Sequence, residues 1–216
     1  MSEPATAETV LSNSIGTFAD LVAEGTPSPG GGSVSAYCGV LAASLGQMVC
    51  NLTIGKKKYA ESEARLLIIK PDLERLSARL RELITEDAAS FEAVLGAYRL
   101  PKETDEQRVV RTETIQRALK NAVEVPLQTA ELSLEVLMLL REIAEIGNSN
   151  ALSDVAVGAQ LAQTAVRGAS YNIAVNLDSI SNPEFVSATR RKMDELIDQS
   201  RTMTDQVEAR IQVQKS

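Results

Sequence analysis

The sequence predicts an all-α fold, a bundle of long antiparallel helices forming a single domain over residues 1–216. Three observations predict it. Apolar residues recur at alternating steps of three and four, the spacing that lines one face of a helix. No stretch alternates apolar and polar residues as a half-buried strand does. The core material is Ala, Leu, Val and Ile: 44% of residues are hydrophobic, only 3% aromatic and none is Trp. Small aliphatic side chains of this kind suit close helix–helix contact.

Breakers and caps then place each element. A first helix is expected from Glu8 to Glu24. Gly25-Thr-Pro-Ser-Pro-Gly-Gly-Gly-Ser33 reads as a loop, since two prolines and three successive glycines do not hold a regular element. A second helix is expected from Ser33 or Val34 to Thr53, stopped by Gly55 and followed by a basic corner, Lys56-Lys-Lys-Tyr59. A short helix should end near Lys70, because Pro71 disfavours helical geometry in the residue before it. Pro71 opens the next helix, Asp72 to Arg99. Another runs from Asp105 to Ile146, kinked at Pro126. After the turn at Gly147-Asn-Ser-Asn150, helices are expected from Ser153 to Ile180 and from Pro183 to Gln212, the last capped by Ser181 or Asn182.

Composition excludes several functions. A net charge of −7 argues against nucleic acid as a partner, because phosphate recognition needs a basic surface. With no histidine in the chain, Ser-His-Asp and Cys-His mechanisms are ruled out, and acid–base work falls to Asp, Glu, Lys, Tyr or Cys. No metal site is expected. Cys38 and Cys50 lie about 18 Å apart along one helix and cannot bridge each other, so both read as buried free thiols. The polar N-terminus carries no secretion pattern, which makes the cytoplasm the expected compartment. Val34 to Ile54 is uncharged and long enough to span a bilayer. Its Ser, Gln, Asn and Thr, and its small residues Gly39, Ala42, Ala43 and Gly46, fit a buried central helix better, so no membrane contact is expected.

Four features can carry chemistry. Leu80, Ile84, Phe91, Val94 and Tyr98 form an apolar seam whose one gap is Asp87, so this carboxylate should face the interior or a partner helix. Such a group is either a structural partner for a neighbouring helix end or a working acid–base group. The glycines Gly30, Gly31 and Gly32, flanked by Pro29 and Ser33, let a backbone approach a ligand at a helix N-terminus, or simply connect packed helices tightly. Lys56, Lys57 and Lys58 are a solvated surface run that complements the helix dipole, or they draw in a carboxylate-bearing ligand, with Tyr59 offering a ring and a hydroxyl. Asn148, Asn150, Ser153 and Asp154 gather at a helix start, where Ser153 or Asp154 reads first as a cap or a dipole-compatible first-turn residue. Asn172 and Asn176 share a face of small residues as a polar network or a ligand hydrogen-bond set.

Taken together, these stretches resemble the cyclodeaminase/cyclohydrolase family of folate enzymes. The resemblance covers nearly the whole chain. It rests on Thr26-Pro-Ser-Pro-Gly-Gly-Gly-Ser33, Asn51-Leu-Thr-Ile-Gly-Lys-Lys-Lys-Tyr59, Asp87-Ala-Ala-Ser-Phe91, Gly147-Asn-Ser-Asn150 with Ser153-Asp154, and Gly168-Ala169…Asn172…Asn176-Leu177. It implies an all-α fold that dimerises through helix packing, with the folate site lined by these motifs near the subunit interface. It also implies one of two reactions, hydrolysis of 5,10-methenyltetrahydrofolate to 10-formyltetrahydrofolate, or closure of 5-formiminotetrahydrofolate with loss of ammonia. Met48 to Tyr59, Gly96 to Asp105 and Ile115 to Lys120 look most like the stand-alone cyclohydrolase. The chain departs from the pattern at Tyr37, which is bulkier than expected.

On that resemblance, Asp87 is the expected base and Asp154 a second base or a partner for the pterin amino group. Lys57 or Lys58 would orient the base, stabilise an oxyanion or bind the glutamate tail. Pro29, Gly30, Gly31, Gly32, Ser33, Asn51, Tyr59, Asn148, Ser153, Asn172 and Asn176 are expected to line the substrate, with no cofactor beyond the tetrahydrofolate substrate itself. The competing expectation is a non-catalytic helical scaffold, whose long helices would serve only oligomerisation.

Overall fold

The structure, a computed structural model, describes residues 14–215. Six α-helices follow in order: α1 (Ile15–Ala23), α2 (Gly31–Thr53), α3 (Ala60–Tyr98), α4 (Asp105–Ile146), α5 (Leu152–Leu177) and α6 (Pro183–Lys215). No strand occurs among the described residues. The helix starts obey cap chemistry. Thr104 and Gln107 form a reciprocal capping box on α4, and the Phe185 amide donates to Asn182 Oδ1 (2.8 Å) at the head of α6. Gly55, at φ +78°, ends the α2 segment in the left-handed conformation that glycine adopts without penalty. The expected start of the first helix, Glu8 to Asn13, lies outside the described residues.

Three expectations are corrected. The glycine run is not all loop: Gly30 is the extended N-cap of α2, while Gly31, Gly32 and Ser33 are its first turn. Pro71 does not end a helix, because α3 runs unbroken for 39 residues through it. Packing overrides the local signal there, since Leu66, Ile69, Leu73 and Leu76 are buried on both sides of the proline. Pro71 lies on the exposed side, as does Leu67, so the carbonyl left without its usual amide partner is open to water. The seam through Asp87 is also shorter than its pattern. Leu80 and Ile84 are buried, but Phe91 and Tyr98 are 38% and 45% exposed, with Ser90 and Ala97 buried in their place. A 3.6-residue turn drifts about 20° per seven residues, which moves the buried stripe off the strict repeat.

Helix α2 is the axis of the molecule. Gly32, Gly39 and Gly46 recur every seven residues along it, and antiparallel α3 meets them with Asp87, Leu80 and Leu73, also seven apart. A Cβ added to Gly46 would lie 2.8 Å from Leu73 Cδ1, and one on Gly39 3.1 Å from Leu80 Cδ1. On α4, Ser133 and Leu140 close on the same two glycines from behind. α5 runs antiparallel to α2 on the other flank, with Gly168 against Ser35 and Gly158 against Ala42. α6 covers α4 and α5.

Three sides of α2 are therefore covered. The fourth carries Val34, Cys38, Leu41, Leu45, Met48 and Leu52, of which Leu41 and Leu52 are 36% and 41% exposed. Cys38 is thus only partly buried, unlike Cys50. Among the described residues α2 is the one helix long and apolar enough to cross a membrane, and more than half of its most apolar stretch is buried inside the bundle.

Candidate functional site

The series Leu73, Leu80, Asp87 puts a carboxylate where the heptad pattern calls for a leucine, and the residue facing it is a glycine. A Cβ at Gly32 would fall 2.1 Å from Asp87 Oδ1, so only a residue without a side chain lets the carboxylate reach the head of α2. The buried Ser33 hydroxyl donates to Asp87 Oδ2 (3.0 Å) and approaches the Ile84 carbonyl (3.2 Å). Burial lifts the Asp87 carboxyl above its ordinary value, while the Ser33 hydroxyl and amide act in the opposite sense. Desolvation wins. Asn172 of α5 stands beside Gly31, where a Cβ would be 3.6 Å from its Nδ2, and that nitrogen donates to the Gly168 carbonyl (2.9 Å). Pro29 is buried at the loop end and Gly31 is exposed. The result is a partly buried base beside a glycine-lined helix N-terminus, whose free amides and dipole favour negative charge. The Tyr37 ring packs on Phe18 of α1 at a centroid distance of 5.3 Å.

A second polar cluster forms at the other end of α2. Tyr59 donates its hydroxyl to Asn148 Oδ1 (3.2 Å), and the Ser149 amide donates back to it (3.1 Å). Lys58 Nζ donates to Ser149 Oγ (3.3 Å) and sits 5.0 Å from the centre of the Tyr59 ring. The Ser149 hydroxyl, followed by Lys58, pulls the Tyr59 phenol down to about 8. Asn148 fastens the cluster to α2, its amide donating to Thr53 Oγ1 (2.9 Å) and its Nδ2 to the Leu52 carbonyl (3.2 Å). Lys57, Asn51 and Ser153 are exposed nearby in sequence, and Asp154 stands partly buried in the first turn of α5. Neither Ser153 nor Asp154 is a cap. Asn148 takes that work for the short 3-10 turn Ser149–Ala151, accepting from the Asn150 amide (3.1 Å).

The structure therefore brings Pro29, Gly30, Gly31, Gly32, Ser33, Asp87 and Asn172 together, and separately Lys58, Tyr59 and Asn148. Within one chain it does not bring the two sets together, because the 23 residues of α2 separate them by about 33 Å. Asn176 belongs to neither; its Nδ2 donates to the Ala122 carbonyl of α4 (3.2 Å) and to the Asn172 carbonyl (3.0 Å), tying helices. Sequence reasoning did not single out Ser149, the hub of the second cluster, or Ser35, which fills the notch at Gly168; the signal was the Gly168 notch itself, legible only once its facing helix is known. Among the described residues no three His, Cys, Asp or Glu side chains gather as a metal-holding group.

Comparison with known proteins places this geometry. Residues 14–195 match the family model described as formiminotransferase-cyclodeaminase. A Methylorubrum extorquens protein named methenyltetrahydrofolate cyclohydrolase is 39% identical over 89% of this chain and 93% of its own. The rat formimidoyltransferase-cyclodeaminase is 34% identical over 96% of this chain, which spans 38% of that longer protein. The crystal structure of formiminotetrahydrofolate cyclodeaminase from Thermotoga maritima superposes with a TM-score of 0.85 at 29% identity, over 96% of this chain and all of that one. With a family match running from the first described helix into α6 and a structural match over 96% of its length, the chain belongs to the formiminotransferase-cyclodeaminase family.

Proposed function

We propose that this protein hydrolyses 5,10-methenyltetrahydrofolate to 10-formyltetrahydrofolate, with Asp87 as the base. The observation that carries the reading is the desolvated Asp87 carboxylate, held by Ser33 at the glycine-lined head of α2. The substrate's bridging carbon lies between N5 and N10 and shares a positive charge with them. A carboxylate beside it stabilises that charge and accepts a proton as water adds to the carbon. The tetrahedral adduct then breaks its bond to N5, which takes a proton as the carbonyl forms, leaving the formyl group on N10 and one proton released to water. A base raised from its ordinary value by burial suits this step, since proton transfer is most effective when the base's value approaches the working pH. In this reading Asn172 and the Gly31–Gly32 backbone, which adjoin Asp87, face the ligand.

The relative named methenyltetrahydrofolate cyclohydrolase supports hydrolysis. The likeness to the Thermotoga maritima cyclodeaminase favours a second reading, closure of 5-formiminotetrahydrofolate with loss of ammonia, at the same carbon and with the same base. Absorbance separates the two. Decay of the methenyl chromophore on adding enzyme supports hydrolysis; its appearance from the formimino compound, with ammonia, supports cyclodeamination. Neither change, together with no retention of methenyltetrahydrofolate in equilibrium dialysis, would leave a helical scaffold. The reaction as written uses no resident cofactor, and we place it in the cytoplasm, in a homodimer or higher homo-oligomer, with neither nucleic acid nor membrane as a partner.

A further inference from the structure

We propose that Arg111 is the anion anchor of the folate site: it takes a carboxylate of the substrate's glutamate, while Phe91 and Tyr98 line the path of the aminobenzoyl ring outward from Asp87. The proposal rests on the folate-enzyme reading, and it gives Arg111 the tail-binding work that the sequence offers to Lys57 or Lys58.

The register of α3 on α2 makes the path. Leu73, Leu80 and Asp87 meet Gly46, Gly39 and Gly32 in turn. One step further, the same register would set Val94 against position 25, which precedes the first residue of α2. No helix wall stands there: Gly25 is exposed, and a Cβ added to it would meet nothing within 4 Å. The stripe of α3 that packs on α2 lower down therefore runs out past its head as an open shelf. Phe91, Val94 and Tyr98 follow Asp87 along it at helical spacing, with both rings exposed and Val94 half-buried.

Arg111 of α4 closes the outer end. Its Nη2 donates to the Tyr98 carbonyl (3.0 Å), and its Cζ lies 5.8 Å from the centre of the Tyr98 ring. Arg108, one turn earlier, pairs with Asp105 (3.0 Å), but no carboxylate among the described residues pairs with Arg111. Its Nε is buried with no hydrogen-bond partner among those residues. Tying down the end of α3 needs only the Nη2 contact, which leaves the charge and the idle Nε without a purpose. A carboxylate answers both, since the guanidinium fork matches its two oxygens. The order of groups agrees as well. Outward from its bridging carbon the substrate offers a flat ring and then carboxylates; outward from Asp87 the shelf offers two rings and then a cation. Asp87 and Tyr98 are about 16 Å apart along α3, a length that an aminobenzoylglutamate spans with a hydrogen bond at each end.

A double-mutant cycle between enzyme and substrate tests this with the full chain. The two substrates are 5,10-methenyltetrahydrofolate and an analogue ending in a neutral benzamide in place of the glutamate. For the folate, Arg111→Ala should raise KM roughly 10- to 100-fold with kcat little changed, the loss of a charge-assisted contact. Removing the glutamate should cost the wild type a similar factor in kcat/KM and cost Arg111→Ala little more. Equal losses for Arg111→Ala with both substrates would reduce Arg111 to a tie on the end of α3 and overturn the proposal. So would a wild type that handles the analogue as well as the folate. If Arg111→Ala does not fold by circular dichroism, the same cycle is read on Arg111→Lys, which keeps the charge and loses the fork; there too the folate should suffer more than the analogue. Wild-type protein that neither turns over nor retains either compound in equilibrium dialysis would sink the folate reading itself, and the anchor with it.

Discussion

At the scale of single residues, the competition at Asp87 is between solvation and hydrogen bonding. Removal from water raises the carboxyl, and the Ser33 hydroxyl and amide lower it without cancelling the rise. The sign for stability follows. A carboxyl whose folded value lies above its unfolded one costs stability once ionised, so the contribution is favourable at low pH and is lost as pH rises through the folded value. Activity runs the other way, because the base must be ionised to accept a proton. Ser33→Ala removes a donor to the charged form, so the acid limb of kcat/KM should move to higher pH; an unmoved or lowered limb in a pH–rate profile would dismiss the Ser33 contact. Tyr59 offers a second readout. Its phenol is drawn down to about 8 by Ser149 and Lys58 and should ionise near that pH. Ultraviolet titration should show one early phenolate that disappears in Tyr59→Phe, and its persistence there would reassign it.

At the scale of helices, the register of α2 on α3 decides what reaches the site. Glycines every seven residues receive Leu73, Leu80 and then Asp87, so the site is the last step of a packing pattern rather than a separate construction. Gly32→Ala forces a methyl onto the carboxylate, and the neighbouring backbone is fixed by the helix. We expect a loss of about 1–3 kcal/mol in urea unfolding together with lost turnover. Leu80→Ala, one step away, should cost about 2–5 kcal/mol while the purified folded fraction keeps its specific activity. Equal activity losses in the two variants would show that the site does not depend on this local contact.

The sequence was informative at this scale and partly misleading. Breakers marked α4 from Asp105 to Ile146, and cap chemistry offered Ser181 or Asn182 at the head of α6, of which Asn182 accepts from the Phe185 amide; these signals are local. Pro71 misled because its penalty is also local, whereas the compensation, four buried aliphatic residues around it, comes from other helices. The glycine run was read as loop for the same reason: its helical geometry is explained by Asp87, 55 positions further on, which no window of sequence contains. Asp87 itself was legible, as a polar gap in an apolar repeat.

At the scale of the molecule, the site residues divide into two corners that the helix axis holds apart. No reading of motif order could show that, since order carries no distance. The two corners also explain why α2 is uncharged, apolar on its open side and yet polar at both ends. In the proposed homo-oligomer, Leu41→Glu would put a charge on the exposed apolar side of α2, and it should give a helical monomer by analytical ultracentrifugation with turnover reduced at least about tenfold. Full turnover by a monomer would separate catalysis from association.

The central claim is that a desolvated aspartate, rather than an imidazole or a metal, moves the proton. The most direct measurement is the decay of methenyl absorbance with wild-type protein and with Asp87→Asn, under the same conditions and with circular dichroism on both. The account predicts unchanged helicity and a fall in kcat of about 100-fold or more. An Asp87→Asn protein that clears the chromophore at the wild-type rate would contradict it.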